Sequence, residues 1–251
     1  MGTRMPRTLP ALLSALVLFP AAALADGPDL AKIDEAYAKR GDPASAKEVD
    51  ALLAEAMKAT PNDPQVLWRQ ARWNVWKADV LTGDAKKEMG KATWDLGDKI
   101  VKLDPKMVEG PFYGSLGVGQ YSEGAGIVNA LMQGLEGKFN DRLDKALQMN
   151  ADVDRGGPML TKGRYYFSLP WPKRDLTKSA EWYNKCLAKH PENARCHLYL
   201  AETLLEDGKA KEAKVHLDAA LNAPEAYDPP EAVRVKGLAK KLQPKVEEKL
   251  K

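Results

Sequence analysis

The feature of this sequence that most limits its fold is an interval of 34 residues near the carboxyl end. Three pairs of residues are separated in this way: Ser179 and Ala213, Tyr183 and Leu217, and Cys186 and Ala220. Small and large side chains therefore return in the same order after a fixed length of chain. A period of about 20 to 50 residues predicts an array of stacked structural units, each of which buries its apolar face on the next.

Turn and capping residues in the same stretch agree with a repeated pair of helices. Pro191 ends one helix, because proline cannot continue a helix and disfavours helical geometry in the residue before it. Asn193 can cap the next helix, Gly208 permits the turn that follows, and Pro224 ends the third helix. A helical pair of this length predicts tetratricopeptide-like hairpins.

The rest of the chain shows the same organisation with less regular spacing. Apolar residues recur at helical intervals in residues 29–60 and 65–105. Residues 108–150 contain eight of the nineteen glycines, which we interpret as sites where helices pack closely. The final helix, residues 231–250, carries sparse apolar residues among lysines and glutamates, as expected of a helix that covers the end of an array. The predicted fold is an all-α solenoid of tetratricopeptide-like helical hairpins with a C-terminal capping helix.

The amino terminus has the three parts of an export signal. Two arginines precede an apolar run, residues 11–22, and Ala23-Leu24-Ala25 has the small residues of a cleavage site. We predict a signal peptide over residues 1–25, cleavage after Ala25, and one helical-repeat domain over residues 26–251. A membrane anchor is the weaker alternative, because the apolar run is too short to span a bilayer and a proline interrupts it.

Charge and hydropathy limit the kinds of partner. Loss of the two arginines, and of no acidic residue, lowers the formal net charge from +3 to +1. This balance gives no electrostatic basis for binding nucleic acid or an anionic membrane. No later segment approaches the ~18 apolar residues of a spanning helix, so we expect no stable membrane insertion after signal cleavage. The predicted location is periplasmic or secreted.

Several segments occur in an order that resembles two known families. These segments are Leu67-Trp68-Arg69-Gln70-Ala71-Arg72, Lys102-Leu103-Asp104-Pro105, Gly163-Arg164-Tyr165-Tyr166, Asn222-Ala223-Pro224 and Asp228-Pro229-Pro230-Glu231. Together they are similar to the tetratricopeptide-like regulator of microtubule dynamics family and to the T-component of tripartite ATP-independent periplasmic (TRAP) transporters. The resemblance covers about residues 29–242. It implies an all-helical fold of degenerate repeats and a role in binding rather than catalysis.

We therefore predict an exported, non-catalytic adaptor that binds a protein partner or peptide in the periplasm. The alternative is a small-molecule-binding accessory component of a TRAP-type uptake transporter. T-components are lipoproteins, whereas no cysteine follows the apolar run here to carry a lipid. Catalysis is not predicted. The three histidines lie in one repeat without a serine or cysteine motif that could supply a nucleophile, and the acidic residues are scattered rather than paired in a cleft. No cofactor is predicted.

The two cysteines, Cys186 and Cys196, lie on either side of a predicted turn. Antiparallel helices joined by a short turn bring such positions together, and export favours oxidation, so a disulfide is one interpretation. Two small buried thiols are the other interpretation. A zinc site with His190 and His197 is disfavoured, because ligands crowded at one turn rarely close a tetrahedron. No metal site is predicted.

Aromatic residues indicate where a partner would bind. Most of them should lie in the core, as aromatic side chains at helical spacing usually do. A few, together with arginines, should line the concave side of the array, where repeat proteins bind partners. The predicted groove residues are Trp68, Arg69, Arg72, Trp76, Arg164, Tyr165 and Tyr166. An apolar groove with arginine at its rim would suit a carboxylate or an extended peptide.

Overall fold

The computed structural model describes residues 1–2, 27–226 and 228–251. The predicted signal peptide and its cleavage site therefore lie outside the described residues, apart from the first two. Within the described ranges the regular structure is entirely helical, with twelve helices. They are α1 (Leu30–Ala38), α2 (Pro43–Ala59), α3 (Pro64–Ala78), α4 (Gly83–Leu103), α5 (Glu109–Ala125), α6 (Ile127–Met132), α7 (Leu135–Asn150), α8 (Val153–Ser168), α9 (Leu176–Lys189), α10 (Ala194–Glu206), α11 (Ala210–Leu221) and α12 (Pro229–Lys249). None of these twelve is both long enough and apolar enough to cross a membrane.

Asp-Pro pairs begin three of the helices. Asp42, Asp63 and Asp228 each accept a hydrogen bond from a backbone N–H of the first turn, and the proline that follows is the first helical residue. Proline suits this position because its φ is already helical and no N–H is needed there. Asn193 caps α10 in the same way and accepts from the Cys196 N–H at 3.1 Å. Short polar side chains thus set the points at which new helices begin.

The 34-residue interval corresponds to buried positions in the last repeat. Ser179, Tyr183 and Cys186 of α9 are fully buried, and the residues 34 positions later on α11 are buried to the same degree. Helix α10 packs against both helices and contributes Leu200 and Ala201 to their shared core. The repeated positions are therefore core positions, which explains why residue size recurs along the sequence.

Each helix packs mainly against its neighbours in the sequence, so the core is divided into clusters along the chain. One cluster joins α1, α2 and α3, another joins α5, α6 and α7, and a third joins α9 to α12. This division is characteristic of a solenoid. Helix α12 buries Val235, Ala239 and Leu242 against the last hairpin. The prediction of an all-α solenoid with a C-terminal capping helix is confirmed.

The glycine-rich part of the chain forms a helix pair, α4 and α5, whose backbones touch. Glycines at intervals of seven residues lie on each helix: Gly90 and Gly97 on α4, and Gly110, Gly117 and Gly124 on α5. A β-carbon on Gly117 would lie 2.2 Å from the backbone nitrogen of Trp94. No side chain could fit between the two helices at this point, so the predicted close packing is confirmed for the glycines of α5 but not for Gly134 and Gly137, where a β-carbon would have nothing within 4 Å.

The periodicity of residues 127–149 predicts one helix, whereas the structure contains two, α6 and α7. Gly134 lies between them with a φ of 69°, a left-handed conformation that glycine adopts without steric cost. The chain therefore turns after the six residues of α6. This turn brings apolar residues of α6 to the interior of the solenoid.

Candidate functional site

The solenoid curves around an inner cavity of about 810 Å³. Its wall contains side chains from α1, α3, α4, α5, α6, α7, α8, α10 and α12. Aromatic and aliphatic residues form much of this wall, and charged residues are set among them. The volume lies within the range of about 300 to 1,000 Å³ that is typical of ligand sites. The inner cavity is therefore the candidate binding site.

Ion pairs join the two ends of the solenoid at the wall of this cavity. Arg40, just after α1, lies 2.8 Å from Asp228 at the start of α12. Asp79, at the end of α3, accepts from Arg195 of α10 at 3.0 Å and from Arg234 of α12 at 3.2 Å. We call these three contacts the closing ion pairs, because they connect early and late parts of the solenoid across the cavity.

Asp79 is a stronger acid than an ordinary aspartate because of this setting. Burial alone would raise the pKa of its carboxyl group, but the guanidinium groups of Arg195 and Arg234 outweigh burial and lower the pKa below 3.8. Asp79 therefore stays ionised at neutral pH, and the closing ion pairs persist there.

Four of the seven predicted groove residues line the inner cavity: Arg72, Trp76, Arg164 and Tyr165. The other three, Trp68, Arg69 and Tyr166, lie in the layer behind this lining. The Trp68 ring stacks on the ring of Tyr113, a lining residue, with centroids 6.5 Å apart. The Tyr166 ring packs edge-on against Tyr165 at 5.1 Å between centroids. The predicted residues thus lie in two layers of one wall.

The predicted arginines already bind carboxylates of this chain. Arg69 and Arg72 both bind Asp34, at 2.7 and 2.5 Å, and Arg164 binds Glu202 at 2.7 Å. Burial alone would raise the pKa of Asp34, but hydrogen bonds from the two arginines outweigh burial and lower it. A ligand carboxylate would have to displace an internal partner, so an anionic ligand matches this wall poorly.

Asp154 lines the cavity from α8, and nothing in the sequence singles it out. It begins a left-handed turn in which φ is 48° at Asp154, 57° at Arg155 and 82° at Gly156. Glycine adopts such angles freely, whereas a residue with a β-carbon is destabilised by roughly 1 to 2 kcal/mol. The sequence Gly156-Gly157-Pro158 indicates a break in the chain, but it does not indicate that the left-handed turn starts two residues earlier.

Helices α9 and α10 hold this left-handed turn in place. The side-chain amide of Asn193 donates a hydrogen bond to the carbonyl oxygen of Arg155 at 3.0 Å. A β-carbon on Gly156 would lie 3.2 Å from the sulfur of Cys186. The turn therefore rests directly on the junction between α9 and α10.

Cys186 and Cys196 form a disulfide between α9 and α10, with their Cα atoms 6.6 Å apart. Both residues are fully buried and pack with Met159 of α8. Because both sulfur atoms are joined in this disulfide, neither is available as a thiolate ligand for the zinc site that the sequence disfavours. In the part of the chain that the structure describes, no group of three or more His, Cys, Asp or Glu side chains is placed to hold a metal ion.

Comparison with known proteins supports the helical-repeat fold. A tetratricopeptide-repeat family model matches residues 182–215, which lie within the last repeat. The structure resembles the crystal structure of a thermophilic TPR protein from Thermus thermophilus, with a TM-score of 0.61 and 20% sequence identity over 83% of this chain and 95% of that chain. A search of curated proteins finds no match. By fold, this chain is a tetratricopeptide-like repeat protein.

Proposed function

We propose that this chain is an exported, non-catalytic scaffold that binds a partner protein in the periplasm and receives a segment of that partner in the inner cavity. The observation that carries the proposal is the cavity of about 810 Å³, which presents one wall built by most of the helices. Helical-repeat proteins use such concave surfaces for binding. Aromatic side chains of the wall supply contact area, and its polar groups fix the orientation of the guest.

Site-specific photocrosslinking in cells tests where the partner binds. A photoreactive benzoylphenylalanine in place of Leu131, which lines the cavity, should form an adduct with one periplasmic protein. The matched control places the same residue at Val215, which is 65% exposed on α11 and outside the lining. Adducts from position 131 but not from position 215 support the proposal. Equal adducts at both positions, or adducts at position 215 alone, would place the partner elsewhere.

The export part of the proposal rests on the sequence of the first 25 residues. Amino-terminal sequencing of the protein recovered from a periplasmic fraction should give a chain that begins at Asp26. Recovery of the uncleaved chain from the cytoplasm would contradict export without affecting the cavity.

A second function, as a small-molecule-binding accessory component of a TRAP-type uptake transporter, is favoured by the closing ion pairs. They tie the two ends of the solenoid together, and a cavity of this volume suits a small ligand better than a long peptide. The two functions differ in what accompanies the protein through purification. Native mass spectrometry should show a small organic molecule that is lost on denaturation if the second function holds, and the unliganded mass if the first holds.

A further inference from the structure

Most carboxylates in the wall of the inner cavity already have a partner within the chain. Nine carboxylates line the cavity. Seven of them accept a hydrogen bond or an ion pair: Asp34, Asp79, Glu123, Glu136, Asp152, Asp228 and Glu231. The other two, Asp154 and Glu192, form no hydrogen bond or ion pair through their carboxylates with any of the described residues. The cavity therefore presents unmatched negative charge to whatever occupies it.

The surroundings of Asp154 disfavour its charge. The side chain is exposed at the wall of the cavity, with protein on the other sides of the cavity around it. Burial raises the pKa of the carboxyl group, and Glu231 and Asp228 act in the same direction. Arg72 and Arg40 lower the pKa, but both guanidinium groups are bound to other carboxylates, and the net effect is a raised pKa. The nearby arginines thus leave the carboxylate of Asp154 without an ion pair of its own.

The backbone at Asp154 supplies a second, independent observation. A left-handed conformation in a residue other than glycine persists only where its surroundings enforce it, and such strain clusters at binding sites. Here the enforcing contacts are the hydrogen bond from Asn193 and the packing of Gly156 on the disulfide. An unmatched charge and an enforced backbone conformation therefore coincide at one residue of the cavity wall.

We propose that the inner cavity binds an organic cation, an ammonium or guanidinium group carried on an apolar body, with its charge at Asp154. Tyr37 and Leu160 line the same cavity, are partly exposed and would cover the apolar body. The inference rests on the proposed function, because both place the guest in the inner cavity. The sequence predicts a guest with a carboxylate, whereas this proposal places a cation in the cavity. The reason is that the arginines of the predicted groove already bind carboxylates of the chain.

Three probes of one shape and different charge test the polarity. Calorimetric titration of the purified protein at neutral pH would compare tryptamine, which is a cation, with tryptophol, which is neutral, and indole-3-propionate, which is an anion. Tryptamine should bind at least tenfold more tightly than tryptophol, a difference of about 1.4 kcal/mol. Binding of the anion as tight as that of tryptamine, equal affinity for all three probes, or binding of none at millimolar concentration would overturn the proposal.

Substitution of Asp154 tests the assigned residue. Asp154→Asn keeps the size of the side chain, and asparagine tolerates left-handed angles well, so the turn should be retained. Tryptamine should bind at least tenfold more weakly to this variant, whereas tryptophol should bind as before and thereby report an intact cavity. Asp141→Asn, at an exposed aspartate of α7 outside the cavity, is the matched control and should bind tryptamine as the wild type does. Unchanged binding of tryptamine to Asp154→Asn would overturn the assignment.

A pH series on the unsubstituted protein gives a measurement that does not depend on the variant's folding. The charged and titratable groups around Asp154 are Tyr37, Arg40, Arg72, Tyr113, Arg155, Asp228 and Glu231. Because the pKa of Asp154 is raised, tryptamine affinity should fall on acidification at a higher pH than an aspartate of pKa 3.8 would give. Tryptophol affinity should not change over the same range. If the affinities of tryptamine and tryptophol changed with pH in the same way, a charged contact at Asp154 would be contradicted.

A pair of capped peptides identifies the source of the cation. Acetyl-Leu-Lys-Leu-amide and its norleucine counterpart differ only in the ammonium group of the central residue. Preference for the lysine peptide over both its counterpart and tryptamine assigns the cation to a side chain of the partner, whereas tighter binding of tryptamine assigns it to a free amine. If neither cation is preferred but position 131 still crosslinks to a partner, this inference fails and the proposed function stands.

Discussion

The last repeat (α9–α11) and the glycine-rich pair (α4 and α5) belong to one solenoid but pack by opposite means. In the last repeat, large side chains such as Tyr183, Leu200 and Leu217 fill the space between helices. In the glycine-rich pair the backbones themselves meet, and a β-carbon on Gly90 would lie 2.4 Å from the backbone nitrogen of Tyr121. The first region should therefore be sensitive to loss of side-chain volume, and the second to gain of it.

The largest expected effect is in the last repeat. Leu217→Ala should lower the free energy of unfolding by about 2 to 5 kcal/mol, because it removes a buried side chain and leaves a cavity. Urea denaturation followed by circular dichroism measures the change. Val215→Ala, at an exposed position on the same helix, is the control and should change stability by no more than about 0.5 kcal/mol. Equal effects of the two substitutions would contradict side-chain packing as the source of stability here.

A gain of volume should have a similar effect in the glycine-rich pair. Gly117→Ala should lower the free energy of unfolding by about 3 kcal/mol, near the upper end of overpacking effects, because the added carbon meets rigid backbone. Gly137→Ala in α7 adds the same atom where nothing lies within 4 Å, and it should stabilise the protein by up to about 1 kcal/mol. The same denaturation experiment compares them. A neutral Gly117→Ala would show that α4 and α5 can separate without penalty.

Removal of the disulfide should affect one region and not the other. Cys186→Ala combined with Cys196→Ala should lower the free energy of unfolding by about 2 to 3 kcal/mol, because the open chain gains entropy when unfolded. Hydrogen exchange should become faster in α9 and α10 and stay unchanged in α4 and α5. A thiol assay of the denatured, unreduced protein should first find no reactive thiol. Two reactive thiols would remove the basis of this prediction.

The smallest expected effect concerns the contact between the two ends. Asp79→Asn should lower the free energy of unfolding by about 1 to 2 kcal/mol at neutral pH, because the variant keeps hydrogen bonds but loses charge. The folded pKa of Asp79 is lowered, so its contribution is present above the unfolded pKa and is lost as pH falls through the folded value, below 3.8. The gap between wild type and variant should therefore close in acid. Asp141→Asn should show no gap at any pH.

The sequence predicts local features of this fold well. Asn193, Gly208 and Pro224 mark helix ends through their own backbone preferences, and the 34-residue interval marks residues that face the same core. The glycine spacing indicates close packing, although it does not identify which helices meet. Interactions that join distant parts of the chain have no such local signature. Arg40 and Asp228 are 188 positions apart, and their pairing depends on the summed curvature of every hairpin between them.

The candidate site is less predictable than the fold for the same reason. Arg72 and Trp76 lie in the wall of the cavity, on the face of α3 that their helical spacing indicates. The positive charge of Arg72 is balanced by Asp34, which lies on another helix. Asp154 is missed because aspartate is a common residue before a break, and its left-handed angles result from contacts with α9 and α10.

The closing ion pairs join α1 and α3 to α10 and α12 through charged side chains rather than through apolar packing. Dissolved salt screens exposed charges strongly and partly buried pairs much less. Because the arginines of the closing ion pairs are largely buried, these contacts should persist as ionic strength rises and keep the two sides of the cavity wall together.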